Sequence, residues 1–215
     1  MKNLIKLFIF FLFISGCTKI GKTVTIKGRV LNPVTGEGIA GAAVWLQKTT
    51  LGLPGGNKTI KKATTDANGN YEINKATLRY LTLLCTTYKL DKEYLGLGFK
   101  DPETGVGYHV KKFKTQHWDY HAVPYGNLKL DILNVNCEGT TDTMNFRSKY
   151  QYGLDFESYS SDRLGCYAYI SSGSSKLPIG EYVYEMKVKR PSGTVTIQVI
   201  ANIVEGVETV VQLHY

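Results

Sequence analysis

The polar and apolar positions follow two regimes along this chain. From Leu7 to Ile14 the apolar run is unbroken, with Lys2 and Lys6 ahead of it. That run is far short of the ~20 residues needed to cross a hydrocarbon core, so it reads as a secretory signal rather than a membrane span. Beyond it the pattern alternates with period two, the signature of half-buried strands. Thr23–Val30, Ile39–Leu46 and Gly126–Val135 alternate in this way. In the last third, Tyr182, Tyr184, Met186 and Val188 share one strand face, and Val195, Ile197, Val199 and Ala201 share another. Further strands are predicted over Thr141–Tyr150, Gly165–Ile170 and Glu208–Tyr215. No long helical periodicity interrupts them. Turn chemistry separates the runs: Asn32–Gly38 contains Pro and two glycines, and Asn68-Gly69 sits between strand residues as a hairpin signal. The expected fold class is all-β. The expected domains are 23–135 and 136–215, each the size of a sandwich of ~100 residues, with one enlarged sandwich as the alternative.

The N-terminal run ends in Ser15-Gly16-Cys17. With its charged start and short apolar centre, this resembles the signal and lipobox of bacterial lipoproteins. The resemblance implies removal of residues 1–16, lipid on Cys17, and a short tether over residues 17–22. It implies a membrane anchor as the first partner, since several acyl chains hold a protein where one is marginal. Thr18 in place of an Asp implies the outer membrane, and the lack of an acidic run after Cys17 implies its periplasmic face rather than the cell surface.

A second resemblance covers residues 23 to 100. Gly28-Arg29-Val30, then Gly41-Ala42-Ala43-Val44-Trp45-Leu46, then Thr65-Asp66-Ala67-Asn68-Gly69-Asn70-Tyr71 resemble, in order, the motifs of the carboxypeptidase regulatory-like domain. That family implies a transthyretin-like, Ig-like β-sandwich, here expected to be two in tandem. Its phase points Ala42, Val44, Leu46, Tyr71 and Ile73 inward and Trp45 outward. Leu177-Pro178-Ile179-Gly180-Glu181-Tyr182 resembles a late-strand entry of the same superfamily. The family's motifs say much about fold and little about activity.

Charge changes the picture little. The whole chain has 26 Lys and Arg against 18 Asp and Glu; loss of Lys2 and Lys6 with the signal leaves 24 against 18, a formal +6. The lysines are scattered, with doublets only at Lys61-Lys62 and Lys111-Lys112. No concentrated patch or reading motif marks a nucleic-acid partner. Of the cysteines other than Cys17, Cys137 and Cys166 could pair, and Cys85 reads as a core thiol in phase with Leu81 and Leu83; three free thiols are the alternative.

Two clusters are candidates for chemistry or binding. His117-Trp118-Asp119-Tyr120-His121 would, on a strand, put His117, Asp119 and His121 on one face, a weak candidate metal set. Trp45, Trp118 and Tyr120 are candidate exposed aromatics for a protein partner or a glycan, with packing between domains as the other reading of Trp45. Asp66-Ala67-Asn68-Gly69-Asn70 starts like a calcium loop, but Tyr71 and Thr77 stand where its glycine and bidentate acid belong. The chain has no His-Glu-x-x-His, Gly-x-Ser-x-Gly or phosphate-loop motif. The expectation is a non-catalytic envelope module without a cofactor, with a glycan-binding lipoprotein as the alternative.

Overall fold

The computed structural model describes residues 23–50, 56–76, 83–89, 93–100, 109–111 and 114–215. Cys17, the signal and the tether lie outside the described residues, as does the side chain of Cys85. Every regular element described is a strand, so the fold class is all-β, as expected. The chain forms two compact units, each assembled from separate stretches.

The first unit comprises the chain to Val30, Gly38–Lys89 and Phe99–Tyr120. Its strands are β1 (Thr23–Leu31), β2 (Ala43–Thr50), β3 (Gly56–Thr64), β4 (Asn70–Ala76) and β5 (Leu83–Lys89). After β6 (Tyr94–Lys100) comes the short β7 (Thr115–His117). β1 pairs antiparallel with β4 and parallel with β7, while β2 is the centre of a second sheet between β3 and β5. Alternation delivers the core: Val24, Ile26 and Val30 of β1, Val44 and Leu46 of β2, and Tyr71 and Ile73 of β4 are buried, together with Ala42. The expected inward phase holds at Ala42, Val44, Leu46, Tyr71 and Ile73.

The Asn68-Gly69 hairpin does not form. β3 pairs with β2 and β4 with β1, so the turn carries the chain from one sheet to the other. Asp66 organises this corner: its carboxylate accepts from the backbone N–H of Asn68 at 2.9 Å and of Asn70 at 2.8 Å. Gly69 has φ +79°, and a Cβ there would lie 2.3 Å from the Val30 carbonyl oxygen. The same local chemistry serves a hairpin or a sheet-to-sheet corner; the partner strands decide which.

The second unit comprises Leu31–Glu37, Leu90–Gly98 and His121–Tyr215. Its strands are β8 (Asp119–Leu133, beginning in the first unit), β9 (Thr143–Tyr150), β10 (Arg163–Leu164), β11 (Ala168–Ile170), β12 (Ser175–Pro178), β13 (Gly180–Arg190), β14 (Gly193–Ile203) and β15 (Glu208–His214). β8 pairs antiparallel with β11 and β12 and parallel with β15. The other sheet runs β10-β9-β13-β14. Between them lies a core of Leu128, Ile132, Met144, Tyr182, Tyr184, Met186, Val188, Ala201, Ile203, Val211 and Leu213.

The expected closing strand of a first sandwich, Gly126–Val135, is thus not one. Residues 127–133 of β8 pair with β15, the last strand, so no boundary falls at Asn136, and the compact units divide between Tyr120 and His121. Cys137 and Cys166 form a disulfide with Cα atoms 5.2 Å apart, which decides between the two alternatives the sequence left open for them. Beside it, buried Asp142 accepts from the Glu138 N–H at 2.9 Å and from Asn134 Nδ2 at 3.0 Å. The Glu138 hydrogen bond, then Asn134 and the Arg190 charge, hold the Asp142 carboxyl below the usual carboxylate range against the cost of its burial.

Candidate functional site

The first unit carries an open polar cleft of about 590 Å³ beside β1, β3 and β4, lined by Lys27, Arg29, Asp66, Glu72, His117 and Asp119 among others. It forms because β7 lies parallel to β1 and its continuation, Trp118, donates its backbone N–H to the Lys27 carbonyl at 2.8 Å. Alternation about Trp118 then turns His117 and Asp119 to the same recess. This part of the expected cluster is brought together. His121 falls in the second unit and does not line the cleft.

The acids of the cleft already have work. Asp119 Oδ1 accepts from the Arg29 backbone N–H at 2.7 Å. Glu72 pairs with Lys27 at 3.1 Å. Asp66 takes both the side-chain amide and the backbone N–H of Asn70, and these bonds, with the Asn68 N–H and the Arg29 charge, hold its carboxyl below the ordinary range. Among the described residues no group of three or more His, Cys, Asp and Glu could hold a metal ion. Of the candidate set, His117 and Asp119 share the recess and His121 does not line it, so the three are not brought together there.

The aromatic candidates separate as well. Trp118 is 3 % exposed. Its ring lies 6.1 Å from that of Phe99, and Phe99 meets Tyr120 edge-on at 4.9 Å. Trp118 is core, and the expectation of an exposed ring there is corrected: its backbone is bound to β1, which turns the indole inward. Tyr120 is half-buried against Phe99. Trp45 is half-buried, with the Lys62 ammonium 4.2 Å above its ring, a cation–π contact. The three rings do not form one exposed platform. Phe99, the residue that gathers two of them, was unmarked because it closes an ordinary-looking strand.

The second unit holds a carboxylate that sequence reasoning missed. Glu185, on β13, receives Tyr159 Oη at 2.7 Å, Arg147 Nε at 2.8 Å and Gln198 Nε2 at 3.1 Å. The Arg147 guanidinium also stacks over Phe156 and Tyr159, at 4.5 and 4.6 Å. The Tyr159 bond, then those of Gln198 and Arg147, keep the Glu185 carboxyl below its ordinary range. Both oxygens are occupied, so the group braces the β9-β13-β14 sheet and is not poised as an acid or base.

The same unit also bears exposed apolar side chains. They include Leu164, Ile170, Ile200, Val207 and Val210.

Comparison with known proteins gives only distant likeness. No family model matches the chain, and no curated protein matches it. Among solved structures, the chain is similar to a minor pilin of Streptococcus agalactiae at 13 % identity, covering 89 % of this chain and 94 % of that one with a TM-score of 0.34. It is similar to the shaft pilin of Lactobacillus rhamnosus GG at 7 % identity, covering 89 % and 97 %, with a TM-score of 0.31. The Bacillus anthracis TIE protein is 15 % identical with a TM-score of 0.31, and the match spans 89 % of this chain but 34 % of that protein. The likeness is one of β-rich construction and extends no further.

Proposed function

We propose that this chain is a non-catalytic accessory module of the cell envelope, held by lipid on Cys17 to the periplasmic face of the outer membrane, and that it binds a protein partner through its second unit. The observation that carries this is the set of apolar side chains left exposed on the second unit, Leu164, Ile170, Ile200, Val207 and Val210 among them. Apolar groups left in water are the material from which interface centres are made. The occupied acids of the cleft and of Glu185 support a role without catalysis. The motifs over residues 23–100 support a regulatory-like sandwich in the first unit. A protein partner is favoured over a glycan because the Trp118 ring, which a sugar would stack upon, is buried.

The test is mild cross-linking of the full chain in its native membrane, followed by pull-down and mass spectrometry, with Ile170→Glu in parallel. The reading expects one envelope protein to be enriched with the native chain and lost with the variant, Ile170 being 70 % exposed and free of any core role. Recovery of the chain alone, or of the same partners with both, would refute it. Cys17→Ser tests the anchor separately: the chain should leave the membrane fraction.

A further inference from the structure

At one end of the second unit the inward positions stop being apolar. Inward side chains fall on every second residue of a strand. Two positions on from Ile132, Val188 and Leu213, and two before Met144, that alternation reaches Asn134, Arg190, Tyr215 and Asp142. Asp142 is fully buried, and Asn134 and Tyr215 nearly so. Arg190 Nε stands 3.7 Å from Asp142 Oδ2, and Arg190 Nη2 donates to Asn134 Oδ1 at 3.3 Å. A carboxylate at this depth keeps its charge only through its bonds. Asp142 Oδ1 has no hydrogen-bond partner among the described residues, so the charge rests on Oδ2, which accepts from the Glu138 N–H and Asn134 Nδ2. Gly165 closes the set from the other side. Its N–H donates to the Asp142 carbonyl at 2.8 Å, and its own carbonyl accepts from Asn134 Nδ2 at 3.0 Å. Glu138 and Gly165 lie in loops, outside any strand, and each is the chain neighbour of a bridged cysteine, Cys137 or Cys166. The disulfide therefore fastens together the two loops that bind Asp142. Cys166 is exposed, within reach of a thiolate in solution.

We propose that the Cys137–Cys166 disulfide is a redox latch on this end of the unit: a dithiol reductant opens it, and the Gly165 loop then lets go of Asp142 while the two sheets stay folded. The reductant's thiolate attacks Sγ of Cys166, and Cys137 leaves as a thiolate and takes up a proton. The reductant's second thiolate attacks its own sulfur in the mixed disulfide, Cys166 leaves and takes up a proton, and the reductant departs as its disulfide. Two electrons and two protons pass from the dithiol to the protein. Glu138 has a second hold, because its carboxylate accepts from the Ser192 N–H at 3.0 Å. The half that moves is therefore Gly165–Tyr167. The sheets do not need the bridge: β13 pairs with β9 and β14 along its length, and Met144, Met186, Val188 and Leu213 pack in the core. The coupling is reciprocal: bonds to Asp142 favour the closed bridge, so a variant that weakens them is easier to reduce. Leu164, 64 % exposed, borders the moving stretch, so the thiol state also changes how that apolar side chain is presented. The proposal goes beyond the partner-binding reading and does not rest on it.

The experiment is hydrogen exchange on the full chain in detergent, before and after dithiothreitol. Exchange of the Gly165 amide should rise about tenfold or more on reduction, the size of the two hydrogen bonds that Gly165 makes around Asp142. That exchange should be nearly independent of urea, because a loop opening exposes little surface. The β13 amides should exchange more slowly and with a steep urea dependence. An unchanged Gly165 amide, a bridge that dithiothreitol cannot open without unfolding the unit, or a Gly165 amide that follows β13 at every urea concentration would each overturn the proposal. The last of these would mean that the bridge acts on the unfolded chain alone. Asp142→Asn supplies the reciprocal arm. In a graded series of reduced and oxidised dithiothreitol, its bridge should be half reduced at a dithiol-to-disulfide ratio lower by about fivefold, the difference between a charged and a neutral acceptor; an equal ratio would overturn the coupling. If that variant does not fold, the exchange arm on the native sequence decides by itself.

Discussion

Replacing Gly28 by alanine should cost this protein about 3–5 kcal/mol, where the same change in an ordinary strand gains about 0.5–1 kcal/mol. Gly28 sits opposite Tyr71 in the β1–β4 ladder. A Cβ there would fall 1.8 Å from the Trp118 carbonyl oxygen, against the 3.4 Å at which ordinary contact begins. The obstacle is backbone, and that oxygen is already the acceptor of Tyr71 Oη at 2.7 Å, while the Trp118 N–H is held by Lys27 at 2.8 Å. Moving the peptide breaks one or both bonds, at roughly 1 kcal/mol net each and more if a buried group is left unpaired. The residual overpacking adds about 1–3 kcal/mol. Both tryptophans, Trp45 and Trp118, lie in the first unit, so their fluorescence in urea follows that unit alone. The midpoint should fall with the slope unchanged. Two controls separate crowding from backbone strain. Both lie in the second unit and are read by circular dichroism instead: Gly36→Ala has nothing within 4 Å but φ +76°, and should cost only about 1 kcal/mol; Gly173→Ala has neither obstacle and should be near neutral. A Gly28→Ala loss below about 1 kcal/mol, or one no larger than that of Gly36→Ala, would refute the reasoning.

Three further outcomes are expected. Cys137 and Cys166 close a loop with a sequence separation of 29, so replacing both by serine should lower stability by about 3–4 kcal/mol by loop entropy; equal denaturation curves with and without reductant would contradict this. Met186 is fully buried at the centre of the second core, and Met186→Ala should cost about 2–5 kcal/mol in thermal or urea melts followed by circular dichroism; a loss under about 1 kcal/mol would mean that the core collapses around the gap. Glu185 has its folded pKa lowered below the ordinary 4.5. Its contribution is therefore complete above that value and is lost as the pH falls through the folded pKa; Glu185→Gln should flatten the stability curve below about pH 4.5, and an unchanged acid limb would count against the network.

How much of this was legible in the sequence follows from which facts are local. Alternation along Tyr182–Val188 and Ala42–Leu46 fixes which side chains are buried, because a strand has only two faces. Turn chemistry at Asp66–Asn70 fixes a reversal, but which strands pair afterwards depends on distant segments, and so the hairpin became a corner. The long strand β8 gave no sign that its partner would be the last strand of the chain. Alternation puts Trp118 opposite His117 and Asp119, but which of the two faces is buried depends on β1 and Phe99, which come from distant segments. Asp142 and Glu185 carry no signal in the sequence because their partners, Asn134, Arg147, Tyr159 and Gln198, come from other elements.

The interleaving of the two units along the chain has a consequence for how the polypeptide can be dissected and in what order it can fold. Leu31–Glu37 and Leu90–Gly98 belong to the second unit, although most of the first unit is synthesised around them. No single truncation separates the halves: a fragment beginning at His121 lacks two of the segments its own unit needs, and one ending at Tyr120 carries them without their partners. A chain synthesised from its N-terminus must therefore keep these stretches waiting until the last hundred or so residues have been made. That delay is where a chaperone would matter most.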